Sequence, residues 1–258
     1  MNQVRAKKYL GQHFLTDENI ARRVAEGFTL HKASSVLEIG SGMGVLTQFL
    51  LKNPLINLTA IEIDKESVEY LDVHYPELNV IQDDFLAMDL DKLFDDDFYI
   101  IGNFPYNISS QILFKALDHK HKVKGIAGMF QKEVGERIVS PPGNKSYGIL
   151  SVLLQAYYDA EYLFTVSEEV FNPPPKVKSA VVRFTRNDVQ QLDCNEKLFK
   201  NVVKTAFNQR RKTLRNSLKS MIDKENPIRN ESIFDKRPER LGVDEFVYLT
   251  QIIENSRK

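Results

Sequence analysis

Residues 35–44 read SVLEIGSGMG, an apolar run that ends in three closely spaced glycines. The apolar run predicts a buried β-strand, and the residues that follow have the spacing of a helix. Gly40, Gly42 and Gly44 form the predicted turn between them, because glycine accepts positive φ and lets a ligand approach the backbone closely. This arrangement favours a site for a cofactor that carries a nucleoside, although a purely structural turn is the alternative interpretation.

The alternation of strands and helices continues to about residue 186. Strands are predicted at 35–39, 58–63, 79–82, 98–101, 125–130, 162–166 and 180–185, and helices at 44–52, 65–75, 109–119 and 147–158. The last two strands are expected to pair. Such alternation predicts an α/β domain with a mostly parallel sheet and helices on both faces. We place this domain at residues 1–186 and a small all-helical domain at residues 187–258, where the apolar spacing becomes helical.

Acidic residues stand at the ends of the second and third predicted strands. Glu62 ends the second strand, and Asp83 and Asp84 end the third, just before Phe85. Ligands of open α/β sheets bind beyond the carboxyl ends of the strands. Glu62 is therefore a candidate acceptor for both hydroxyls of a ribose, and Asp84 for an adenine amine. The spacing leaves Asp83 as an alternative to Asp84, and a solvated acid is the alternative at either strand end.

A nicotinamide-dependent dehydrogenase would use a similar glycine turn. Its GxGxxG fingerprint would require a glycine at position 45, where the chain has Val45. S-adenosylmethionine has no phosphate to bind, so this departure favours S-adenosylmethionine as the cofactor.

Residues 102–107 read GNFPYN and follow the fourth predicted strand. The exocyclic amine of adenine is a poor nucleophile, because its lone pair is delocalised into the ring. Asn103 Oδ1 and the carbonyl of Phe104 can accept its two N–H groups and so orient the lone pair. Pro105 holds Phe104 in an extended conformation, and Tyr106 can stack on the base. Orientation alone can supply roughly 7–11 kcal/mol of a reaction barrier. A tight turn beside a core tyrosine is the alternative interpretation.

Phe171 directly precedes three prolines, at positions 173–175. A base must leave its stack to enter such a pocket, and single-stranded loops make this inexpensive. We predict that Phe171 covers the face of the extruded base opposite Tyr106; the alternative is a core aromatic.

The overall charge is balanced, with 35 basic and 35 acidic residues, but its distribution is uneven. Residues 197–220 contain basic side chains and no acidic one, and nucleic-acid binding needs a local patch rather than a global excess. The alternative is a solvated helix face. The predicted RNA contacts are Lys176, Lys178, Arg210, Arg211, Lys212 and Arg215.

Several classes of protein are disfavoured by composition. No apolar run approaches the roughly 18 residues of a membrane helix, and the basic N-terminus lacks the apolar stretch of a secretory signal. Cys194 is the single cysteine, so no internal disulfide is possible and we expect a cytoplasmic protein. The absence of an HExxH motif and of a cysteine cluster leads us to expect no metal site.

Four segments together resemble a bacterial family, the small-subunit ribosomal RNA adenine N6-dimethyltransferases. They are residues 8–15 (KYLGQHFL), 102–107 (GNFPYN), 171–179 (FNPPPKVKS) and 206–218 (AFNQRRKTLRNSL). Residues 237–241 are also similar to the end segment of the family.

The resemblance implies a Rossmann-like methyltransferase sheet and two methyl transfers from S-adenosylmethionine to each of two adjacent adenosines. These adenosines lie in a hairpin loop near the 3′ end of 16S ribosomal RNA, within a precursor of the small subunit. The resemblance also implies that residues 1–186 carry catalysis and 187–258 bind RNA or the ribosome. We expect a monomer without a membrane partner.

The same resemblance implies a set of cofactor-binding residues. They are His13, Leu15, Gly40, Glu62, Asp84 and Asn103, to which we add Gly42 from the glycine turn. Position 13 departs from the asparagine typical of the family, but histidine can still donate to the carboxylate of the cofactor.

Two alternatives stay open. A resistance-type enzyme that methylates an adenine of 23S ribosomal RNA would share the fold and residues 103–106. A non-catalytic ribosome-assembly or RNA-binding factor on a methyltransferase scaffold is the second, although the intact glycine turn and Asn103 argue against it.

Overall fold

A computed structural model describes residues 4–223 and 225–256. The chain divides into two compact units. The first comprises the residues up to Gly135 together with Asp159–Arg186, and the second comprises Glu136–Tyr158 together with the described residues from Asn187 onward. None of the described helices has the length and apolarity needed to cross a membrane.

The strands and helices are numbered in chain order. The strands are β1 (Phe14–Leu15), β2 (Ser34–Ile39), β3 (Ile56–Glu62), β4 (Asn79–Gln82), β5 (Phe98–Asn103), β6 (Val123–Gln131), β7 (Tyr158–Val166), β8 (Phe171–Asn172) and β9 (Ser179–Arg186). The helices are α1 (Glu18–Ala25), α2 (Thr47–Leu50), α3 (Lys65–His74), α4 (Ser109–Asp118), α5 (Lys132–Ile138), α6 (Ile149–Gln155), α7 (Glu196–Asn208), α8 (Leu214–Ser217) and α9 (Val243–Asn255). Short 3-10 helices lie at Lys8–Leu10, Glu168–Val170, Pro227–Asn230, Ser232–Asp235 and Pro238–Arg240.

Seven strands form the main sheet, in the order β4-β3-β2-β5-β6-β9-β7. The pairs from β4 to β6 are parallel, and β6 pairs with β9 in the antiparallel direction. The predicted α/β class and the mostly parallel sheet are confirmed, and the two last predicted strands, β7 and β9, are neighbours.

The central strands are apolar because both faces of the sheet are covered. Val36, Leu37, Ile100 and Ile101 have no exposed surface. In the register of the sheet, Ile39 lies opposite Ile61, so the carboxyl ends of β2 and β3 coincide. The residues that follow these strands therefore meet at one edge, as the sequence predicted.

Some elements differ from the prediction. The helix predicted at 44–52 is limited to α2, and the helix predicted at 147–158 is limited to α6, because Tyr158 already begins β7. Helix α1 was not predicted; Asp17 caps it by accepting hydrogen bonds from the amides of Asn19 and Ile20. The two-stranded sheet of β1 and β8 was also not predicted, since two-residue strands leave no periodic signal.

The second unit is helical over its described residues from Asn187 onward, as predicted. Helix α7 buries Phe199, Val202 and Val203, and the rings of Phe207 and Phe246 lie 5.9 Å apart between α7 and α9. Helix α6 packs against the same two helices, which places residues 136–158 in this unit. The predicted division at residue 187 did not include them, because their sequence pattern continues the strand–helix alternation. The division of functions between the two parts stays a prediction.

Candidate active site

A cavity of about 190 Å³ lies at the carboxyl ends of β2, β3, β4 and β5. We call it the central cavity. It brings together most of the predicted cofactor and catalytic residues: His13, Gly40, Gly42, Glu62, Asp83, Asp84, Asn103, Phe104, Pro105 and Tyr106. The structure therefore unites residues that lie up to 93 positions apart in the chain.

The glycine turn forms one wall of this cavity. Gly40 has φ of 72° and Gly42 has φ of 54°, values that L side chains rarely adopt. A Cβ atom at position 42 would lie 2.9 Å from the ring of Phe14, so the turn has no room there. A Cβ atom at position 40 would have no neighbour closer than Pro105 Cδ, at 3.8 Å. A Cβ atom at Gly40 would thus make ordinary van der Waals contact with Pro105 and narrow the cavity that both residues line.

Glu62 is 3% exposed and forms the adjacent wall. Its Oε2 atom accepts from the amide of Gly42 and its Oε1 atom from the amide of Asp64, each at 2.9 Å. Burial raises the pKa of Glu62, although these amides favour the charged form. Each carboxylate oxygen has a second lone pair, so Glu62 can still accept from two ribose hydroxyls.

Asp83 and Asp84 both line the central cavity and are both exposed. Asp83 Oδ1 accepts from the amide of Asp84 at 2.7 Å, and Asp84 Oδ1 accepts from the amide of Leu86 at 2.8 Å. Because both carboxylates are exposed and line the cavity, the choice between them as the adenine contact stays a prediction in favour of Asp84.

The neighbouring turn is stabilised by a lysine that the sequence analysis did not identify. Lys115 of α4 donates to the carbonyl of Leu86 at 2.9 Å, and its Nζ atom lies 5.4 Å from the ring centroid of Phe85. Phe85 is buried and lines the cavity. No local pattern predicts this contact, since Lys115 lies about thirty residues from the turn.

Asn103 has a defined orientation. Its Nδ2 atom donates to the main-chain carbonyl of His13 at 2.9 Å. This bond occupies the donor side of the amide, so Oδ1 remains as an acceptor. Phe104 is 1% exposed, and a Cβ atom at Gly128 would lie 2.5 Å from its ring. The two glycines at 102 and 128 therefore make room for this ring, which fixes the backbone that carries the Phe104 carbonyl.

Tyr106 is held by two contacts. Its hydroxyl forms a hydrogen bond with Ser179 Oγ, and its ring lies 5.6 Å from the imidazole of His13 at an interplanar angle of 29°. Burial raises the pKa of Tyr106, so the phenol is neutral near pH 7. The ring is thus a neutral surface with a fixed position.

The segment before β1 packs against the same loop through contacts that the sequence analysis missed. Lys7 Nζ forms an ion pair with Asp64, and Gln12 Nε2 donates to Asp64 Oδ2 at 3.3 Å. Burial acts to raise the pKa of Asp64, but the bonds from Lys7 and Gln12 outweigh it and lower that pKa. Asp64 follows Glu62 by two residues, so it ties this segment to the wall that Glu62 forms.

A second cavity, of about 550 Å³, also borders the glycine turn and also has Asn103 in its wall. We call it the glycine-turn cavity. Glu38 lines it and is 1% exposed; its Oε2 atom accepts from Thr47 Oγ1 at 2.7 Å. Burial raises the pKa of Glu38 to about 7. Glu38 was not predicted as a site residue, although an acid inside an apolar strand was the signal. Leu15 lines this cavity with a buried side chain.

A third space, of about 710 Å³, adjoins the central cavity through His13 and Tyr106, which line both. We call it the proline groove, because Pro173, Pro174 and Pro175 form one side, next to Lys176. Its mixture of apolar surface and cations suits a nucleotide. Lys178 is exposed and is not one of the lining residues.

Phe171 lines neither the central cavity nor the proline groove. Its side chain is 3% exposed and packs in the hydrophobic core, and the residue pairs with Leu15 across β1 and β8. The core interpretation, which the sequence left as the alternative, is therefore the one that this geometry supports. The physical reason is the pairing of β8 with β1, which sets Phe171 beside Leu15 in the same core cluster.

The predicted RNA contacts of the second unit differ in their exposure and in the partners of their side chains. Arg211 and Lys212 are exposed. Arg210 is half-buried, and its Nη2 atom donates to the carbonyl of Asn144 at 3.3 Å. Arg215 pairs with Asp235 at 2.6 Å and also donates to the carbonyl of Arg229. Because these partners occupy its guanidinium, Arg215 is a structural residue here rather than an available phosphate contact.

One group of side chains among the described residues has the spacing of metal ligands. Asp89, Asp91 and His119 have ligand atoms within 4.8 Å of one another. Lys92 lies 3.2 Å from Asp89, and His121 lies 2.8 Å from Asp91, so cationic or neutral partners already satisfy these acids. The expectation of no metal site stays a prediction.

Comparisons with known proteins agree over nearly the whole chain. Residues 3–246 match the family model described as ribosomal RNA adenine dimethylase. The chain is 60% identical over 254 residues to the ribosomal RNA small subunit methyltransferase A of Parabacteroides distasonis. The aligned region covers 98% of this chain and 95% of that protein. It is 58% identical over 257 residues to the protein of the same name from Flavobacterium johnsoniae, with 98% of each chain covered.

Two solved structures share the fold. A dimethyladenosine transferase from Plasmodium falciparum aligns with a TM-score of 0.79 at 25% identity, covering 95% of this chain and 98% of that one. The 23S ribosomal RNA methyltransferase ErmE aligns with a TM-score of 0.68 at 24% identity, covering 92% and 99%.

Proposed function

Because this chain belongs to the ribosomal RNA adenine dimethylase family and is a methyltransferase, we propose a specific reaction for it. It transfers methyl groups from S-adenosylmethionine to the N6 atoms of two adjacent adenosines near the 3′ end of 16S ribosomal RNA. The substrate is the small ribosomal subunit or its precursor. The orientation of Asn103, which has its acceptor oxygen free where two cavities meet, is the observation that carries this proposal.

The residues of the central cavity fit S-adenosylmethionine. The space in front of Gly40 accepts a ligand that a Cβ atom would obstruct, and the remaining lone pairs of Glu62 suit the two hydroxyls of a ribose. Asp84 or Asp83 is available to an adenine amine, and Phe85 offers an apolar surface. When bound, the cofactor supplies an electrophilic methyl group.

The residues of the protein act on the target base by orientation. Asn103 Oδ1 and the Phe104 carbonyl accept the two N–H groups of the amine, which directs the nitrogen lone pair away from the plane of the base. Tyr106 supports the base from one face, with its ring held by Ser179 and His13. After each transfer the nitrogen releases a proton to water, so the site needs no strong general base. The orientation of the amine and of the base relative to the methyl group therefore provides most of the rate enhancement.

Two observations support the small-subunit substrate over the alternatives. The relatives at 54–60% identity are named small subunit methyltransferase A, whereas the 23S enzyme ErmE at 24% identity supports a shared fold alone. The contacts of Glu62 and Asn103 argue against a non-catalytic factor, because a scaffold without activity has no need to keep both acceptors available. The monomeric state and the cytoplasmic location stay predictions.

One experiment tests the proposal and its alternatives together. Labelled S-adenosylmethionine is incubated with the protein and with undermethylated small and large subunits, and the label is mapped by nucleotide. We expect two adjacent adenosines of 16S RNA to carry the label. Label on 23S RNA would favour the resistance-type activity, and binding to the small subunit without any transfer would favour a non-catalytic factor.

Asn103→Ala is the matching variant. It removes one acceptor of the target amine, and a misplacement of about 1 Å alone can cost about 100-fold in rate. We expect the variant to lose methyl transfer by at least that factor while it still binds the small subunit. Unchanged turnover would refute the role of Asn103.

A further inference from the structure

We propose that Gln131 is a further binding residue for the target base, whose side-chain amide donates to a ring nitrogen of the adenine. This inference rests on the proposed function and deepens it, because it adds a contact to the ring of the base. Asn103 and the carbonyl of Phe104 hold the exocyclic amine, and Tyr106 holds one face. A hydrogen bond to the ring beside the amine fixes the edge of the base, which those contacts leave unheld.

The sheet places Gln131 beside the group that holds Tyr106. Gln131 is the last residue of β6 and lies opposite Ser179 of β9 in the antiparallel register. Side chains of directly opposed residues leave an antiparallel pair on the same face, with Cβ atoms about 4.5–5.5 Å apart. The hydroxyl of Ser179 forms a hydrogen bond with that of Tyr106. Gln131 therefore extends on the face of the sheet where the Tyr106 ring is anchored, and both residues line the proline groove.

The amide of Gln131 is available to a ligand. Gln131 is half-buried, and among the residues that the structure describes its side chain has no hydrogen-bond partner. Gln12 lines the same groove, but its amide accepts from the main-chain amide of Lys7 at 2.8 Å and donates to Asp64 at 3.3 Å. A glutamine amide has two N–H donors and a carbonyl acceptor, so Gln131 retains this whole capacity for a ligand in the groove.

The backbone at Gln131 is held on both sides of the residue. On one side the ladder of β6 and β9 continues, with Phe130 opposite Ala180. On the other side the amide of Lys132 donates to the carbonyl of Lys178 at 2.9 Å. A ligand therefore has to order only the side-chain torsions of Gln131, which keeps the entropic cost of the contact small.

The edge of adenine matches a donor at this place. Its ring nitrogens N1 and N7 lie on either side of the exocyclic amine, and each accepts a hydrogen bond. Enzymes that extrude a base recognise it by hydrogen bonds to its edge and by stacking on its face. Because Asn103 and the Phe104 carbonyl supply acceptors to the amine, the neighbouring ring nitrogen still needs a donor, which Gln131 supplies.

Two substitutions separate the donor from the bulk of the side chain. Gln131→Met keeps a similar length and loses both the donor and the acceptor. Gln131→Glu keeps the length and the acceptor oxygens and loses the donor. Gln111→Met is the matched control, since Gln111 is an exposed glutamine of α4 that lines none of the three spaces.

The substrates are small subunits reconstituted with 16S RNA that carries adenosine, 1-deazaadenosine or 7-deazaadenosine at one of the two target positions. Each deaza analogue replaces one ring nitrogen by a C–H group and leaves the exocyclic amine in place. The readouts are kcat and KM for methyl transfer to that nucleotide at saturating cofactor, the dissociation constant of S-adenosylhomocysteine and the melting temperature. Any intrinsic change in amine reactivity cancels, because every protein variant meets the same analogue.

We expect Gln131→Met to lower kcat/KM on adenosine by about 2- to 13-fold, the range for one hydrogen bond between uncharged groups. The analogue that lacks the contacted nitrogen should lower kcat/KM of the wild type by a similar factor more than it lowers that of Gln131→Met. Gln131→Glu should lose at least as much as Gln131→Met, and Gln111→Met should equal the wild type. S-adenosylhomocysteine affinity and melting temperature should keep their wild-type values in all three variants.

Three outcomes would overturn the inference. If each analogue affected the wild type and Gln131→Met by the same factor, Gln131 would make no bond to the ring, and the proposed function would stand without it. If the loss in Gln131→Met came with weaker S-adenosylhomocysteine binding or a lower melting temperature, Gln131 would be a structural residue at the end of β6. A wild type that transfers no methyl group to unmodified small subunits would contradict the proposed function and this inference with it.

Discussion

Replacing Gly40 by alanine tests whether the glycine turn shapes the cofactor site or only the fold. At Gly40 the backbone has φ of 72°, and this left-handed conformation costs an L-residue roughly 1–2 kcal/mol. Alanine recovers roughly 0.4–1 kcal/mol by restricting the unfolded chain, so the net loss of stability is about 1 kcal/mol. No atom lies closer than 3.8 Å to the new methyl group, so no steric penalty adds to this loss.

The effect on ligand binding is expected to be larger than the effect on stability. The new methyl group would extend into the central cavity, which Gly40 lines. One methyl or methylene group in a fitted pocket changes affinity by about 10- to 200-fold. We therefore expect Gly40→Ala to bind S-adenosylhomocysteine about 10- to 200-fold more weakly, while its melting temperature falls by only about 2–4 °C.

Gly143→Ala supplies a matched control in the second unit. Gly143 has φ of 88°, and its added Cβ atom would meet only the flexible end of Arg240, at 3.6 Å. The backbone penalty is therefore similar, but the position is far along the chain from the glycine turn and lines none of the three spaces. Calorimetry and thermal melting on both variants decide the question. Equal losses of affinity in the two variants, or full affinity in Gly40→Ala, would refute the reasoning.

Three further predictions concern charged side chains. The pKa of Glu38 is about 4.5 in the unfolded chain and about 7 in the folded one, so the folded state binds more protons between these values and wild-type stability falls as the pH rises through this window. Glu38→Gln removes this titrating group, so its free energy of unfolding should not fall by the corresponding amount of about 3 kcal/mol. Urea unfolding of both proteins across this pH range checks the prediction, and parallel profiles of stability against pH would contradict it. Replacing both Arg211 and Lys212 by glutamine should flatten the dependence of log affinity for RNA on log salt by about 1.4, and an unaltered slope would count against their phosphate contacts. Arg215→Gln should instead lower thermal stability with little change in that slope, because Arg215 is already paired with Asp235.

Much of the fold and the outline of the site could be predicted from the sequence, because both depend on short-range patterns. Apolar runs of strand length and the glycines after β2 are local signals, and parallel strands place their carboxyl ends at one edge. That rule alone was enough to expect Gly40, Glu62 and Asp84 beside one another, and the central cavity contains all three.

Tertiary structure decided the features that depend on a distant partner. Phe171 was predicted to cover the base, and the pairing of β8 with β1 placed it in the core instead. In the sequence Arg215 cannot be told from its basic neighbours, but in the fold it forms an ion pair with Asp235. The contacts of His13 with Pro173 and Tyr106 likewise exist only in the folded chain. The physical reason is that periodicity records which way a side chain faces relative to its own element, whereas its partner depends on which other element packs there.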